Sequence, residues 1–154
     1  MAYVTAEARQ ELLDTVAEAT DELGTALAAL GEAYELLDER SADVLEERLF
    51  RPVQLAFGRA RRTHDEFAAR VGHAVRPFAP ELRGRGAGSH GIKGFLEIAV
   101  DAVEQSEAIL IELQDSMSPV EVGDAELRAG LAEVRELLAS VHEDARRFVS
   151  LLGR

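Results

Sequence analysis

Apolar residues recur along most of the chain at alternating spacings of four and three residues, a rhythm that keeps them on one face of an α-helix. Four stripes of this kind run from Leu12 to Leu37, from Val53 to Phe78, from Ile92 to Met117 and from Leu127 to Leu152. Polar and charged residues fill most of the positions in between. The pattern therefore predicts four amphipathic helices.

Local signals set the expected ends of these helices, at about 6–40, 42–75, 90–117 and 125–152. Thr5, Ser41 and Asp124 precede stripes and are residue types that cap helix N-termini. Pro52 lies inside the second helix, where it removes a backbone donor and its ring clashes with the carbonyl four residues back. We therefore expect helix two to be kinked or restarted near Pro52.

Four helices with one rhythm are typical of an antiparallel up-down-up-down four-helix bundle with long helices. We expect the whole chain, 1–154, to form this single all-α domain. Gly24 and Gly31 are unusual inside a helix, where glycine costs about 1 kcal/mol relative to alanine. They indicate either close helix packing or a soft spot in the first helix.

The expected register leaves the tip of the first hairpin, about 33–48, beyond the end of the third helix. Apolar side chains there would form a patch larger than soluble monomers usually expose. They are Tyr34, Leu36, Leu37, Val44, Leu45, Leu49, Phe50 and, on the third helix, Ile111. Either the turn at Pro119 folds over them or a second copy packs there, and we expect a homodimer through this surface.

The amino-acid composition excludes several kinds of functional site. The chain is 47% hydrophobic, enough for a core, and it contains no Cys, which excludes disulfides, thiolate metal sites and a cysteine nucleophile. It has no apolar run of about 18 residues and no signal-peptide pattern at its start, so we expect a cytoplasmic protein with no membrane contact. Its 16 Arg against 1 Lys, with abundant Ala, indicate a GC-rich bacterial source.

The net charge of −12 is distributed unevenly. Residues 1–47 carry a net −11, residues 48–93 a net +7 and residues 94–154 a net −8. Because the chain as a whole is strongly acidic, we expect no nucleic-acid partner. The basic segment is expected to lie between acidic helices, so that ion pairs help to set which helix lies beside which.

A glycine-rich loop precedes the third helix, at about 76–89. Arg83, Arg85, His90 and Lys93 lie in or beside it, and a helix N-terminus with nearby bases can hold an anion. It is not a nucleotide-hydrolase loop, because no strand precedes it and no Ser or Thr follows Lys93. A flexible loop and a weak anion site both remain open at this point.

His64 and Ser106 are the polar residues on the stripes. The expected register places His142 beside His64, and such a pair is a candidate metal or haem ligand, although a packed histidine is the simpler interpretation. Ser106 is expected to bond a carbonyl of its own helix. No His has a Glu three residues before it, so a ferritin-like di-iron site is not predicted.

We therefore expect a non-enzymatic helical-bundle protein that acts through protein–protein contact or self-association and needs no cofactor. The stripes are occupied by packing residues, and no catalytic pair can be assembled from them. The alternative function is binding of a small ligand. That ligand would be an anion at the loop before the third helix, or an apolar, metal or haem group near His64.

Overall fold

The computed structural model describes residues 2–84, 91–122 and 124–152, with side chains from Thr5 onward. These residues form an all-α structure without strands. The helices are α1 (Ala2–Glu35), α2 (Glu39–Leu45), α3 (Arg51–Val71), α4 (Ile92–Asp115), α5 (Ser118–Glu121), α6 (Ala125–Leu138) and α7 (Val141–Leu152). A π-helical segment, Glu46–Phe50, joins α2 to α3.

The first hairpin turns earlier than expected. Helix α1 ends at Glu35, not near 40, and Thr5 lies inside it rather than capping it. Asp38 caps α2, because its carboxylate accepts a 2.8 Å hydrogen bond from the Ser41 backbone N–H. That bond lowers the pKa of the Asp38 carboxyl. Ser41, which we expected to cap this helix, therefore lies in the first turn of α2 and donates the hydrogen bond that Asp38 accepts.

The chain passes Pro52 through a π-helical turn, and the helix does not restart there. The Arg51 N–H bonds the Glu46 carbonyl, five residues back. A wider turn makes room for the proline ring, which would clash with the carbonyl of an ordinary α-helical turn. Helix two is therefore one continuous helical stretch from Glu39 to Val71.

Gly72 ends α3 earlier than the apolar stripe predicts. Its φ of 75° is left-handed, a conformation that glycine adopts without strain. The stripe position Ala74 therefore lies outside the helix and is exposed, whereas Phe78 is buried although it too lies outside. The reason is that the chain turns back over the molecule after Gly72.

Helix α1 packs most extensively against α4. Small side chains such as Ala19 and Ala26 on α1 and Ala99 and Ala102 on α4 are buried. The Ser106 hydroxyl donates to the Ala19 carbonyl at 2.8 Å. The prediction that Ser106 bonds a carbonyl of its own helix is therefore wrong. Its hydroxyl reaches α1 because small residues bring the two backbones close together.

Contacts along α1 set the directions of the other helices. Ser106 meets Ala19, whereas Leu96, near the start of α4, lines a small buried space with Leu30, near the end of α1. Helix α4 is therefore antiparallel to α1. Leu49 lines the same space, so the start of α3 also lies at the end of α1. The expected up-down-up-down order is wrong, because α3 and α4 run in the same direction.

The segment after α3, residues 72–84, makes this order possible, and we call it the crossover. Its contacts advance along α1 in the order His73 to Gln10, Arg76 to Asp21, and Ala79 to Gly24. A Cβ on Gly24 would lie 3.1 Å from the Ala79 carbonyl oxygen, whereas a Cβ on Gly31 would meet nothing within 4 Å. Gly24 therefore serves close packing and Gly31 does not.

Helices α6 and α7 complete the core. A Cβ on Gly130 of α6 would lie within about 3 Å of the Thr63 side chain on α3. Asp124 caps α6 as predicted, accepting from the Leu127 N–H at 2.8 Å. Its carboxylate also pairs with Arg70 at 2.6 and 2.8 Å, which lowers the pKa of Asp124. Helix α6 is therefore antiparallel to α3.

Gly130→Ala is expected to destabilise the fold by about 1–3 kcal/mol through overpacking against Thr63. Thr63 cannot rotate away, because its Cβ itself lies 3.0 Å from the added atom. Gly31→Ala is the matched control and should stabilise by about 0.5–1 kcal/mol. Urea unfolding measures both, and a Gly130→Ala chain as stable as the parent would contradict the close crossing.

Asp124→Asn should remove stability that depends on pH. Because the folded pKa of Asp124 is lowered, its contribution is present above its ordinary pKa and is lost as the pH falls through the folded value. The variant should therefore lose at most about 1 kcal/mol at neutral pH, and the difference should shrink below about pH 4. Urea unfolding across pH checks this, with the exposed Asp101→Asn as control; a constant difference would contradict it.

Candidate functional site

The predicted dimer surface at the hairpin tip lies partly in the core. Leu45 and Leu49 are 0% and 1% exposed, so their expected exposure is wrong. Leu49 lines a small buried space with Leu96 of α4 and Val141 of α7, whereas α2, which carries Leu45, packs against α1. Leu37 and Phe50 are half-buried against the core. The apolar side chains that stay exposed at the tip are Tyr34, Leu36 and Val44.

Ile111 does not join this tip. It is exposed on α4, but α4 is antiparallel to α1, so Ile111 lies beside the N-terminal half of α1. Tyr34 lies at the other end of α1. Pro119, in α5 just beyond α4, is likewise at the far end and does not fold over the tip. The helix register from which this patch was predicted is wrong, because α4 runs opposite to the predicted direction.

His64 is a buried side chain of α3 that packs against the crossover. Its Nδ1 lies 2.9 Å from an Asp65 carboxylate oxygen, and its ring meets Phe78 edge to face at 5.1 Å. His142 is half-exposed on α7 and lies 2.7 Å from Glu104 on α4. The two histidines thus have different partners, and the described residues contain no cluster of three or more metal-ligating side chains.

The residues predicted to hold an anion are only partly described. Arg85 and His90 lie outside the described residues, and Lys93 is exposed in the first turn of α4. The guanidinium of Arg83 lies 3.4 Å from Asp21. Its charge is therefore directed at α1 and not at the loop.

Asp21 attaches the crossover to α1. Arg76 bonds both of its carboxylate oxygens, at 3.0 and 2.7 Å, and Arg83 pairs with the same carboxylate. The Arg76 guanidinium also lies over the Phe78 ring, 4.2 Å from its centroid. Phe78 in turn covers His64. The loop that glycine content marks as flexible is thus held in its described part by ion pairs and a buried ring.

An open groove lies on the outer face of α3, between the crossover and α6, with a volume of about 830 Å³. We call it the α3 groove. Its floor includes Gln54, Leu55, Gly58, Arg59, Arg61, Arg62, Asp65 and Glu66, and its walls are Arg76, Pro77 and Phe78 on one side and Glu133 and Leu137 on the other.

The α3 groove holds guanidinium groups without a carboxylate partner. Arg59 pairs with Glu133, but Arg61 and Arg62 are exposed and form no ion pair among the described residues. Leu55 lies in the same groove and is 54% exposed. The groove therefore presents an apolar side chain beside two free positive charges.

Gly58 lies on the floor of the α3 groove. A Cβ there would meet nothing within 4 Å, in contrast to Gly24 and Gly130, whose neighbours exclude one. Packing within the chain therefore does not account for a glycine that weakens α3 by about 1 kcal/mol. The sequence signal that could have found this groove is an interior helical glycine between Leu55 and the Arg61–Arg62 pair.

No protein-family model, no curated protein and no solved structure matches this chain. In the part of the chain that the structure describes, no helix combines the length and apolar character needed to cross a membrane. The surface of the molecule itself is therefore the basis for proposing a function.

Asp21→Asn is expected to loosen the crossover, because it removes the charge that holds Arg76 and Arg83. The unfolding free energy should fall by about 1–2 kcal/mol, and backbone amides of residues 73–84 should exchange with deuterium faster. Glu18→Gln, an exposed change one turn earlier on α1, is the control. Unchanged exchange in Asp21→Asn would show that other contacts hold the crossover.

Proposed function

We propose that this chain is a non-enzymatic four-helix-bundle protein that acts by protein–protein contact through the α3 groove. The bundle consists of α1, the continuous α2–α3 helix, α4 and the α6–α7 pair, with the crossover returning the chain so that α3 and α4 run in parallel. The observation that carries the function is the combination of exposed Leu55 with unpaired Arg61 and Arg62 in one open groove.

The interior supports a structural and not a catalytic use of its polar groups. Four buried hydroxyls donate to backbone carbonyls, namely those of Thr20, Thr25, Thr63 and Ser106. Hydroxyls bonded in this way are satisfied within the fold and have no proton to give to a substrate. This favours a protein whose working groups lie on its surface.

The shape and chemistry of the α3 groove favour a helix as the bound element. Small-molecule sites enclose most of their ligand, whereas this groove is open along the face of a helix. Grooves that take an amphipathic helix offer apolar positions at helical spacing, and arginine is enriched at protein interfaces. A helix carrying both apolar and acidic side chains would satisfy Leu55, Arg61 and Arg62 together.

A small anion is the second candidate ligand, and the same pair of free guanidiniums favours it. Within the described residues the site would then be the α3 groove and not Arg83, whose charge is engaged by Asp21. An anion alone would leave Leu55 exposed and Gly58 without a role. These two residues are why we favour a protein segment.

Gln54→Cys provides the test, since the chain has no other Cys and a fluorophore can be attached at the edge of the α3 groove. The probe is a synthetic amphipathic helical peptide with one Leu face and one Glu face. We expect a saturable change in emission on titration. Arg61→Ala with Arg62→Ala should weaken binding by about tenfold or more, which corresponds to about 1.4 kcal/mol.

Two controls distinguish the candidates. The exposed pair Arg128→Ala with Arg146→Ala removes equal charge outside the groove and should leave binding unchanged. The same peptide with Lys in place of Glu should not bind. Inorganic phosphate that reproduces the emission change would favour the small anion, and absence of any response to the Glu peptide would overturn the proposed function.

A further inference from the structure

We infer that the α3 groove binds the acidic outer face of α4 from a second copy of this chain. The inference rests on the function proposed for the groove and names the helix that fills it. It follows from a match between two exposed surfaces of the same molecule.

One exposed stripe on the outer face of α4 runs at alternating spacings of four and three residues, with Gln105 and Glu112 exposed beside it. We call it the α4 stripe, and it consists of Glu97, Asp101, Glu104, Ala108, Ile111 and Asp115. It has acidic residues at both ends and a small and a large apolar residue in the middle. It is therefore an amphipathic acidic helix face of the kind that suits the α3 groove.

The two faces match in order when the helices are antiparallel. Along the floor of the α3 groove, Leu55, Gly58 and Arg62 follow one another at spacings of three and four residues. The stripe read backwards gives Ile111, Ala108 and Glu104, at the same spacings. Leu55 then lies opposite Ile111 and Gly58 opposite Ala108. Arg62 lies opposite Glu104, whose carboxylate is also 2.7 Å from His142 on α7.

The small pair is central to this match. Gly58 opposite Ala108 lets two helix backbones approach closely, which is the use that Gly58 lacks within one chain. Further along, Asp115 comes opposite Arg51, an exposed base. Asp101 comes opposite Asp65, a like-charge pair that opposes the match at this position, although the Asp65 carboxylate already lies 2.9 Å from His64 Nδ1. The match accounts for a glycine that internal packing leaves unexplained.

The contact would not close into a symmetric dimer. Helix α1 packs against both α3 and α4, and α6 and α7 also lie between them, so α3 and α4 occupy opposite corners of the molecule. Each bound pair therefore keeps one free groove and one free stripe. Such heterologous contacts join molecules head to tail, into open chains or, where the rotation between copies closes, into rings.

Sedimentation velocity of the unmodified chain tests this prediction. The mean mass should rise continuously with concentration and fall as salt is added, since screened charges attract less. Gly58→Gln fills the groove floor, where the single chain has open space, and should abolish the rise. Gly31→Gln has the same open surroundings outside the groove and should leave the rise unchanged.

A mixing experiment assigns the partner surface. Ala108→Arg places bulk and positive charge on the α4 stripe, and this variant alone should remain a monomer. An equal mixture of Ala108→Arg and Gly58→Gln retains one intact groove and one intact stripe, and should form a heterodimer that grows no further. Two monomers that ignore each other would overturn the inference.

Other outcomes are equally decisive. An unmodified chain that remains a monomer at every concentration overturns the inference, while binding of the Glu peptide would still uphold the proposed function of the groove. A mass that stops at twice that of the chain indicates a closed dimer, as expected for the tip residues Tyr34, Leu36 and Val44, and also overturns it.

Discussion

The return of the chain along α1 after α3 is the constraint on which the other helix positions depend. Helix α3 has 21 residues and spans about 31 Å, a distance that an extended crossover covers with about ten residues. Asp21 fixes this segment by pairing with Arg76 and Arg83, and Gly24 gives it room. Because the crossover carries the chain back along α1 as far as Gly24, α4 can begin beside Leu30 and run parallel to α3.

Close approach between backbones holds the helices that this order brings together. On one side Ser106 bonds the Ala19 carbonyl of α1, and on another Gly130 meets Thr63 of α3. Alanine, serine and glycine have little to bury, so the contacts depend on short distances and not on large side chains. Fixing α1 between α3 and α4 also leaves the outer faces of α3 and α4 on opposite sides of the molecule.

Those two outer faces carry the surface chemistry that the proposals use. The α3 groove holds Arg61 and Arg62, two bases of the basic segment that form no ion pair among the described residues, whereas the α4 stripe is acidic with an apolar middle. The basic residues of the segment 48–93 therefore fall into two groups. Arg59, Arg70 and Arg76 form ion pairs within the fold, each with a carboxylate of another element. Arg61 and Arg62 remain available to another molecule.

The sequence by itself determined most of the buried face of each helix, because apolar residues at spacings of three and four lie on one side of an α-helix; the stripe positions Ala74 and Met117, beyond the helix ends, are exposed. It also identified the Asp124 cap, a local consequence of one residue type, but left close packing and a soft spot as alternatives for both Gly24 and Gly31. It misjudged Leu45 and Leu49, the direction of α4 and the partner of Ser106. Periodicity states which face of a helix is buried but not which helix covers it or in which direction. Only the tertiary structure decided these, through the ion pairs of Asp21 that turn a glycine-rich segment into a crossover.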